Sequence, residues 1–437
     1  MHDVFIRLLR WAWIGILLPL TSVIAVEPVE WADQHLDEIV LLYQHFHRTP
    51  ELSFHEKQTA ERVADELESC GAQVTRNVGG FGVVAVLKNG DGPTLMLRTD
   101  LDGLPVTEQT NLVYASQVRT VDDNGAEVGV MHACGHDIHI TNLIASAKFL
   151  SQHKNLWSGT LVMIGQPAEE KGAGATAMLD DGLFKRFPKP DFALALHVDS
   201  NLGAGKVSCL SGYSMANVDS VDVTMKGAGG HGAQPHTTID PIVQAAHLVM
   251  DLQTLVSREI KPTDPGVVTV GAIHGGTKHN VIGDTCHLQI TVRSYSDEVR
   301  SKLLAGIQRK AKAVAASANA PQPEVEISEG TPSLWNDAEL TNRLTRVFQN
   351  VLGASFVEQG EPSMGGEDFS QYGKQGVPIL MYRLGSVEQK RLDRFRELGQ
   401  PAPSLHSPLF YPDAQPTLRT AVITTCSSVL ELLPAKR

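Results

Sequence analysis

The stretch Met131-His132-Ala133-Cys134-Gly135-His136-Asp137-Ile138-His139 places a thiol, three imidazoles and a carboxylate in one short run. These are the side chains that bind first-row transition metals. A second acidic cluster follows at Glu169-Glu170, between Gln166-Pro167-Ala168 and Lys171-Gly172. A metal site beside a free carboxylate is equipment for activating water, so hydrolysis is the chemistry to test. One glutamate can ligate an ion while the other serves as general base towards water. Adjacent glutamates otherwise repel, and a solvated loop pair is the competing reading. The small residues Gly172-Ala173-Gly174-Ala175 after the pair leave room for a ligand.

Cys134 and His136 are two apart, and on an extended segment their side chains point the same way. Both can then reach one metal or a close pair, although a buried thiol beside a surface histidine has the same spacing. His197 is expected at the end of a strand covering residues 192–196, and His406 in the loop Ser404-Leu405-His406-Ser407-Pro408. Either, alone, reads as structural more readily than as a ligand. Asp100 follows a strand in Arg98-Thr99-Asp100-Leu101-Asp102-Gly103, where a carboxylate can orient a metal-bound histidine. Gly229-Gly230-His231-Gly232 is a glycine-rich loop presenting a histidine, or simply a tight turn. No G-x-S-x-G elbow is present, and a Cys134 nucleophile leaves the glutamate pair unexplained.

Apolar strands are expected at residues 82–87, 93–98, 160–165 and 192–196, with helices over 31–68, 138–152 and 173–180. Alternating strands and helices predict an α/β domain around a largely buried sheet. Residues 220–329 follow another logic, with strands at 221–226, 267–273, 287–292 and 324–328 and helices at 240–259 and 299–318. That βαββαβ order predicts a ferredoxin-like unit inserted into the first domain. The chain then returns to the first domain with a helix near 338–352 and a strand near 379–384. The expected division is a leader at 1–25, a catalytic domain from 31–212 and 332–437, and an inserted domain over 213–331.

The chain has 437 residues, enough for two domains. Its net charge of −12 argues against a nucleic-acid partner, which needs clustered Lys and Arg. Arg7 and Arg10 precede an apolar run from Trp11 to Val26. That pattern predicts a secretory leader cleaved after about Ala25, and hence an exported, periplasmic or secreted protein. An uncleaved anchor is the alternative, but the run falls short of the ~20 residues that span a bilayer. The five cysteines, Cys70, Cys134, Cys209, Cys286 and Cys426, are odd in number and irregularly spaced. At least one stays unpaired, with Cys134 the natural candidate.

With these residues in place the chain resembles the M20 metallopeptidases, in particular the amidohydrolase branch that includes hippurate hydrolases, N-acyl-amino-acid amidohydrolases and auxin-conjugate hydrolases. The matching motifs include Arg48-Thr49-Pro50-Glu51-Leu52-Ser53, residues 98–105, 131–139 and 166–170, and Ala195-Leu196-His197-Val198. They continue with residues 230–236 and 275–282, Met364-Gly365-Gly366-Glu367-Asp368-Phe369 and Leu405-His406-Ser407-Pro408. The resemblance implies two divalent ions (zinc, manganese, cobalt or nickel) held by a bridging Cys134 with His136, Glu170, His197 and His406. It implies Glu169 as general base, Asp100 in support, and Asn280 with Arg293 on the substrate carboxylate. It further implies a lid domain that makes a homodimer contact and brings His231, from the partner subunit, to the developing oxyanion. The implied reaction is hydrolysis of the amide bond of an N-acyl amino acid, with a metallocarboxypeptidase or dipeptidase as the alternative. Ile138, Ile140, Lys278-His279, Gly283 and Ile290 depart from the branch pattern. None is an implied ligand or base, so the departures touch substrate preference and not the reaction.

Overall fold

A computed structural model describes residues 20–436, with side chains from Glu27 onward. Most of the expected leader lies outside the described residues, and the first helix, Leu20–Arg48, begins within its last part. No helix among the described residues is long and apolar enough to cross a membrane.

An eight-stranded sheet forms the larger domain. Its order across the sheet is Gln73–Val78, Gly82–Asn89, Gly159–Gln166, Thr94–Asp100, Phe192–Gly203, Ile379–Val387, Val207–Cys209 and Val357–Gln359. The strands from Gly159–Gln166 to Ile379–Val387 run parallel. They are apolar on both faces because helices cover both, as parallel sheets require. One core holds Leu95, Leu97, Leu161 and Leu194 against the helices Leu20–Arg48, His136–Gln152 and Ala414–Leu432. The opposite core holds Met96, Val162, Ile164 and Met178.

The inserted unit is a four-stranded antiparallel sheet, ordered Gly266–Gly275, Thr285–Ser294, Asn217–Lys226 and Glu324–Glu329. The helices Pro241–Thr254 and Asp297–Ser317 cover one face, giving the βαββαβ order expected from the sequence. Val221, Val223 and Met225 are fully buried under them while Asp222 and Thr224 alternate outward. Asp240 and Ser296 cap the two helices by accepting from Ile242 N and Val299 N. The chain leaves for this unit along Gly212–Met215 and returns along Leu334–Asn336, and those segments pair with each other.

Two local expectations are corrected. The strand expected to stop at Leu196 continues to Gly203, because Ile379–Val387 supplies parallel pairing along its length. His197 is therefore a mid-strand residue. The segment around Cys134 is not extended: it turns at Gly135, and the helix begins at His136. Gly135 has φ 76°, and a Cβ there would sit 2.6 Å from Val198 Cγ2, so only glycine fits. All five cysteines are buried free thiols.

Candidate active site

The site lies where neighbouring parallel strands end. Asp100 and Gln166 are register partners at the ends of Thr94–Asp100 and Gly159–Gln166. The chain beyond each strand end therefore delivers Asp102 and the Glu169-Glu170 pair to one place. Ala168 turns the second segment with φ 50°, an uncommon value for a residue with a side chain. The buried Glu56 carboxylate accepts the Ala168 N–H at 2.7 Å and holds that turn.

The histidines are oriented by their other nitrogens. His136 Nδ1 donates to Asp102 O at 2.8 Å, which aims Nε2 at Asp100, Glu169 and Glu170 at 3.7–3.9 Å. His197 Nδ1 donates to Val198 O at 2.8 Å, and its Nε2 lies 3.5 Å from Cys134 Sγ. His406, exposed at the cleft, places Nε2 3.5 Å from Glu170 Oε1. The Cys134–His136–His197, Cys134–Glu170–His406 and His136–Glu169–Glu170 groups each bring their donor atoms within 4.8 Å of one another. Shared members join the three into one cluster.

Buried His136 Nε2 and Glu170 Oε1 have no protein partner, which fits a divalent cation between them. The local charge favours a cation as well. Burial opposes charge on His136, yet Asp100 and Asp102 hold its pKa well above the usual imidazole range. Burial pushes the Cys134 thiol up, and Glu170 beside it adds to this. Burial, with Glu367 and Glu170 nearby, raises Glu169. Metal binding would draw the proton from the thiol. The donors therefore suit divalent transition-metal ions.

His139 falls outside the donor set. Its Nε2 accepts from Val198 N at 3.0 Å and its Nδ1 donates to Asp100 Oδ1 at 2.7 Å, so neither nitrogen is free. Asp137 faces away, towards His47 Nδ1 at 2.7 Å. Asp100 spends its second oxygen on Arg98 NH1 at 2.7 Å and acts as a support. Arg98 then reaches Gln166, Glu367 and Asp368, with all four side chains buried. This network was not read from the sequence. The signal for it was an arginine inside the apolar run Leu95-Met96-Leu97-Arg98, since a charge there survives only with buried partners.

The cluster opens into a cleft of about 1120 Å³ between the two domains. Cys134, Glu169, Glu170, His197 and His406 line it from the larger domain. From the inserted unit comes Arg293, whose NH1 donates to Met364 O at 2.8 Å. His231 and Asn280 do not line it. They share a short exposed ribbon, in which Gly230–His231 pairs with Val281–Ile282 and Gly232 N donates to Asn280 O. The expectation that Asn280 and Arg293 act together is thus not met within a single chain, because the ribbon and the central strand carry them apart.

Comparison with known proteins places this geometry. The model of the peptidase family M20/M25/M40 matches residues 96–394. The chain is 34% identical over 336 residues to N-acetyl-L-cysteine deacetylase of Bacillus subtilis, covering 77% of each. It is 33% identical over 359 residues to thermostable carboxypeptidase 1 of Saccharolobus solfataricus, covering 81% of this chain and 87% of that one. It superposes with a TM-score of 0.74, at 28% identity, on the Bacillus subtilis YXEP protein, a dinuclear metal-binding peptidase of the M20 family. That match covers 92% of this chain and all of the other. The chain belongs to the peptidase family M20/M25/M40, and with the family comes its class of reaction, hydrolysis of an amide bond.

Proposed function

We propose that this chain hydrolyses the amide bond of N-acyl amino acids, releasing a carboxylic acid and the amino acid. The observation that carries the reading is the Glu169 carboxyl on the cleft wall beside a cluster of oriented, unpartnered donors. Cys134, His136, Glu170, His197 and His406 would hold two divalent ions, which would polarise the scissile carbonyl and acidify water. Glu169 takes a proton from the attacking water. It passes that proton to the amide nitrogen as the C–N bond breaks. Asp100 and Asp102 hold His139 and His136 in position throughout. Arg293 presents a planar fork to the substrate carboxylate.

His231 and Asn280 complete the site from a second copy of the chain. Support for a homodimer is their exposure on a ribbon that leaves their own cleft. Donation from His231 Nε2 to the developing oxyanion follows from its Nδ1 accepting the Ala233 N–H at 3.0 Å. Export is part of the same reading, supported by Arg7, Arg10 and the apolar run after them. Mass spectrometry of the protein recovered from its native cell reads the mature N-terminus.

The test of the reaction is a hydrolysis screen on chelated protein reloaded with zinc, manganese, cobalt or nickel. N-acetyl and N-benzoyl amino acids are compared with dipeptides. Turnover of the acylated substrates above the dipeptides is expected. The reverse order would assign the chain to the peptidase side of its family, where the Saccharolobus carboxypeptidase lies.

A further inference from the structure

The cations along the cleft differ in what they already hold. Lys171 is paired with Asp123, and Arg293 donates to Met364 O. Arg98, behind the wall, is consumed by Asp100, Glu367 and Asp368. Arg383 is different. It lines the cleft, is only half-buried, and makes no salt bridge or side-chain hydrogen bond among the described residues.

Its placement is fixed by register. Arg383 sits on Ile379–Val387 directly opposite His197 on the parallel neighbour Phe192–Gly203. Paired residues on adjacent strands project from the same face. The guanidinium therefore stands on the donor-cluster side of the sheet, close enough for its charge to bear on His197. None of the nearby carboxylates pairs with it: Glu170 belongs to the donor cluster, Glu169 faces the reacting water, and Glu367 holds Arg98 through Oε1. The cleft thus holds an arginine fork with no protein partner among the described residues, in addition to the Arg293 proposed for one carboxylate.

We infer that Arg383 binds a second carboxylate on the substrate, so that the preferred N-acyl amino acids are dianions. This rests on the proposed amide hydrolysis. The added carboxylate can belong to the amino-acid side chain, as in N-acetyl-L-glutamate, or to the acyl group, as in N-succinyl-L-leucine. Arg suits either, because its planar fork meets a carboxylate through two parallel hydrogen bonds.

The experiment compares kcat/KM of the metal-loaded protein on matched pairs: N-acetyl-L-glutamate against N-acetyl-L-glutamine, and N-succinyl-L-leucine against N-acetyl-L-leucine. In one pair the dianion is expected to be preferred, and that pair identifies which end carries the charge. Arg383→Gln is expected to lower kcat/KM for that dianion at least about tenfold, mainly through KM, with less than about a twofold change for its monoanionic partner. Arg383→Lys, which keeps the charge but loses the fork, is expected to fall between. Calorimetric binding of glutarate against butyrate gives a reading without turnover: wild type is expected to favour glutarate, and Arg383→Gln to lose that preference. Absence of any dianion preference in both kinetics and calorimetry, or equal loss on both members of each pair, overturns the inference. If no N-acyl amino acid is turned over at all, the proposed reaction fails, and the glutarate preference still decides the role of Arg383.

Discussion

The same dipeptide serves two regions of this molecule in opposite ways. Gly135-His136 opens a helix in the larger domain, where His136 is fully buried and tied through Nδ1 to Asp102 O. Gly230-His231 lies on an exposed ribbon of the inserted unit, and the His231 imidazole accepts the Ala233 N–H through Nδ1. The first histidine is buried and oriented through Nδ1 before any ligand arrives. The second has a fixed tautomer but no wall. A preorganised donor cluster can thus be complete within one chain, while the exposed histidine stands outside its own cleft. Changes in the first region should cost chemistry or folding, and changes in the second should cost chemistry alone.

The sharpest break is Glu169→Ala. It should lower kcat by about 10³-fold or more while metal content by mass spectrometry stays at the wild-type ratio. Near wild-type turnover would remove Glu169 from the base role. Next is Arg98→Met, which strips the buried cation from Asp100, Glu367 and Asp368. Leaving such carboxylates uncompensated should cost about 3–5 kcal/mol in denaturant unfolding. An unchanged midpoint would show that the network does not brace the donor cluster.

His47 supports the same region from behind. Burial lowers its pKa, but hydrogen bonds to Asp137 and Glu108 outweigh that and raise it to about 9. A raised folded-state value means the stabilisation is complete below about pH 6.5 and is lost as pH climbs through about 9. On the order of 3 kcal/mol is involved. His47→Gln should flatten the decline of melting temperature across that interval, and a parallel decline in both proteins would contradict the assignment. The smallest effect belongs to the exposed region. His231→Ala should lower kcat by about 10²-fold and leave the melting temperature within a degree or so of wild type. A large loss of stability would mean that the ribbon is a folding element and not a catalytic arm.

How much of this was legible in sequence depended on whether partners lay close along the chain. Cys134, His136, Glu169 and Glu170 stand in short runs whose residue types announce metal and proton chemistry, and the βαββαβ unit shows in its alternation. The tautomer logic of His139 was invisible, because its Nε2 is occupied by the amide of Val198, far away in sequence. The Arg98 network joins residues 98, 166, 367 and 368, a link that only the folded sheet creates. The helix Ala414–Leu432 was missed for a different reason. It is buried nearly all round, so it lacks a polar face, and its Thr and Ser residues read as surface. Thr424 and Ser428 return their hydroxyls to the carbonyls of Thr420 and Thr424, which lets them lie in the core.

The pairing of Gly212–Met215 with Leu334–Asn336 has a consequence for how this protein can be rebuilt. Exit and return points that are neighbouring strands lie only about 5 Å apart. A tight hairpin joining them would close with little entropic cost. The intervening module could therefore be spliced out, or exchanged for one from a related chain, leaving the cluster of donors with its own sheet. Such chimeras would inherit their donor cluster from one parent and the ribbon that carries the histidine from the other.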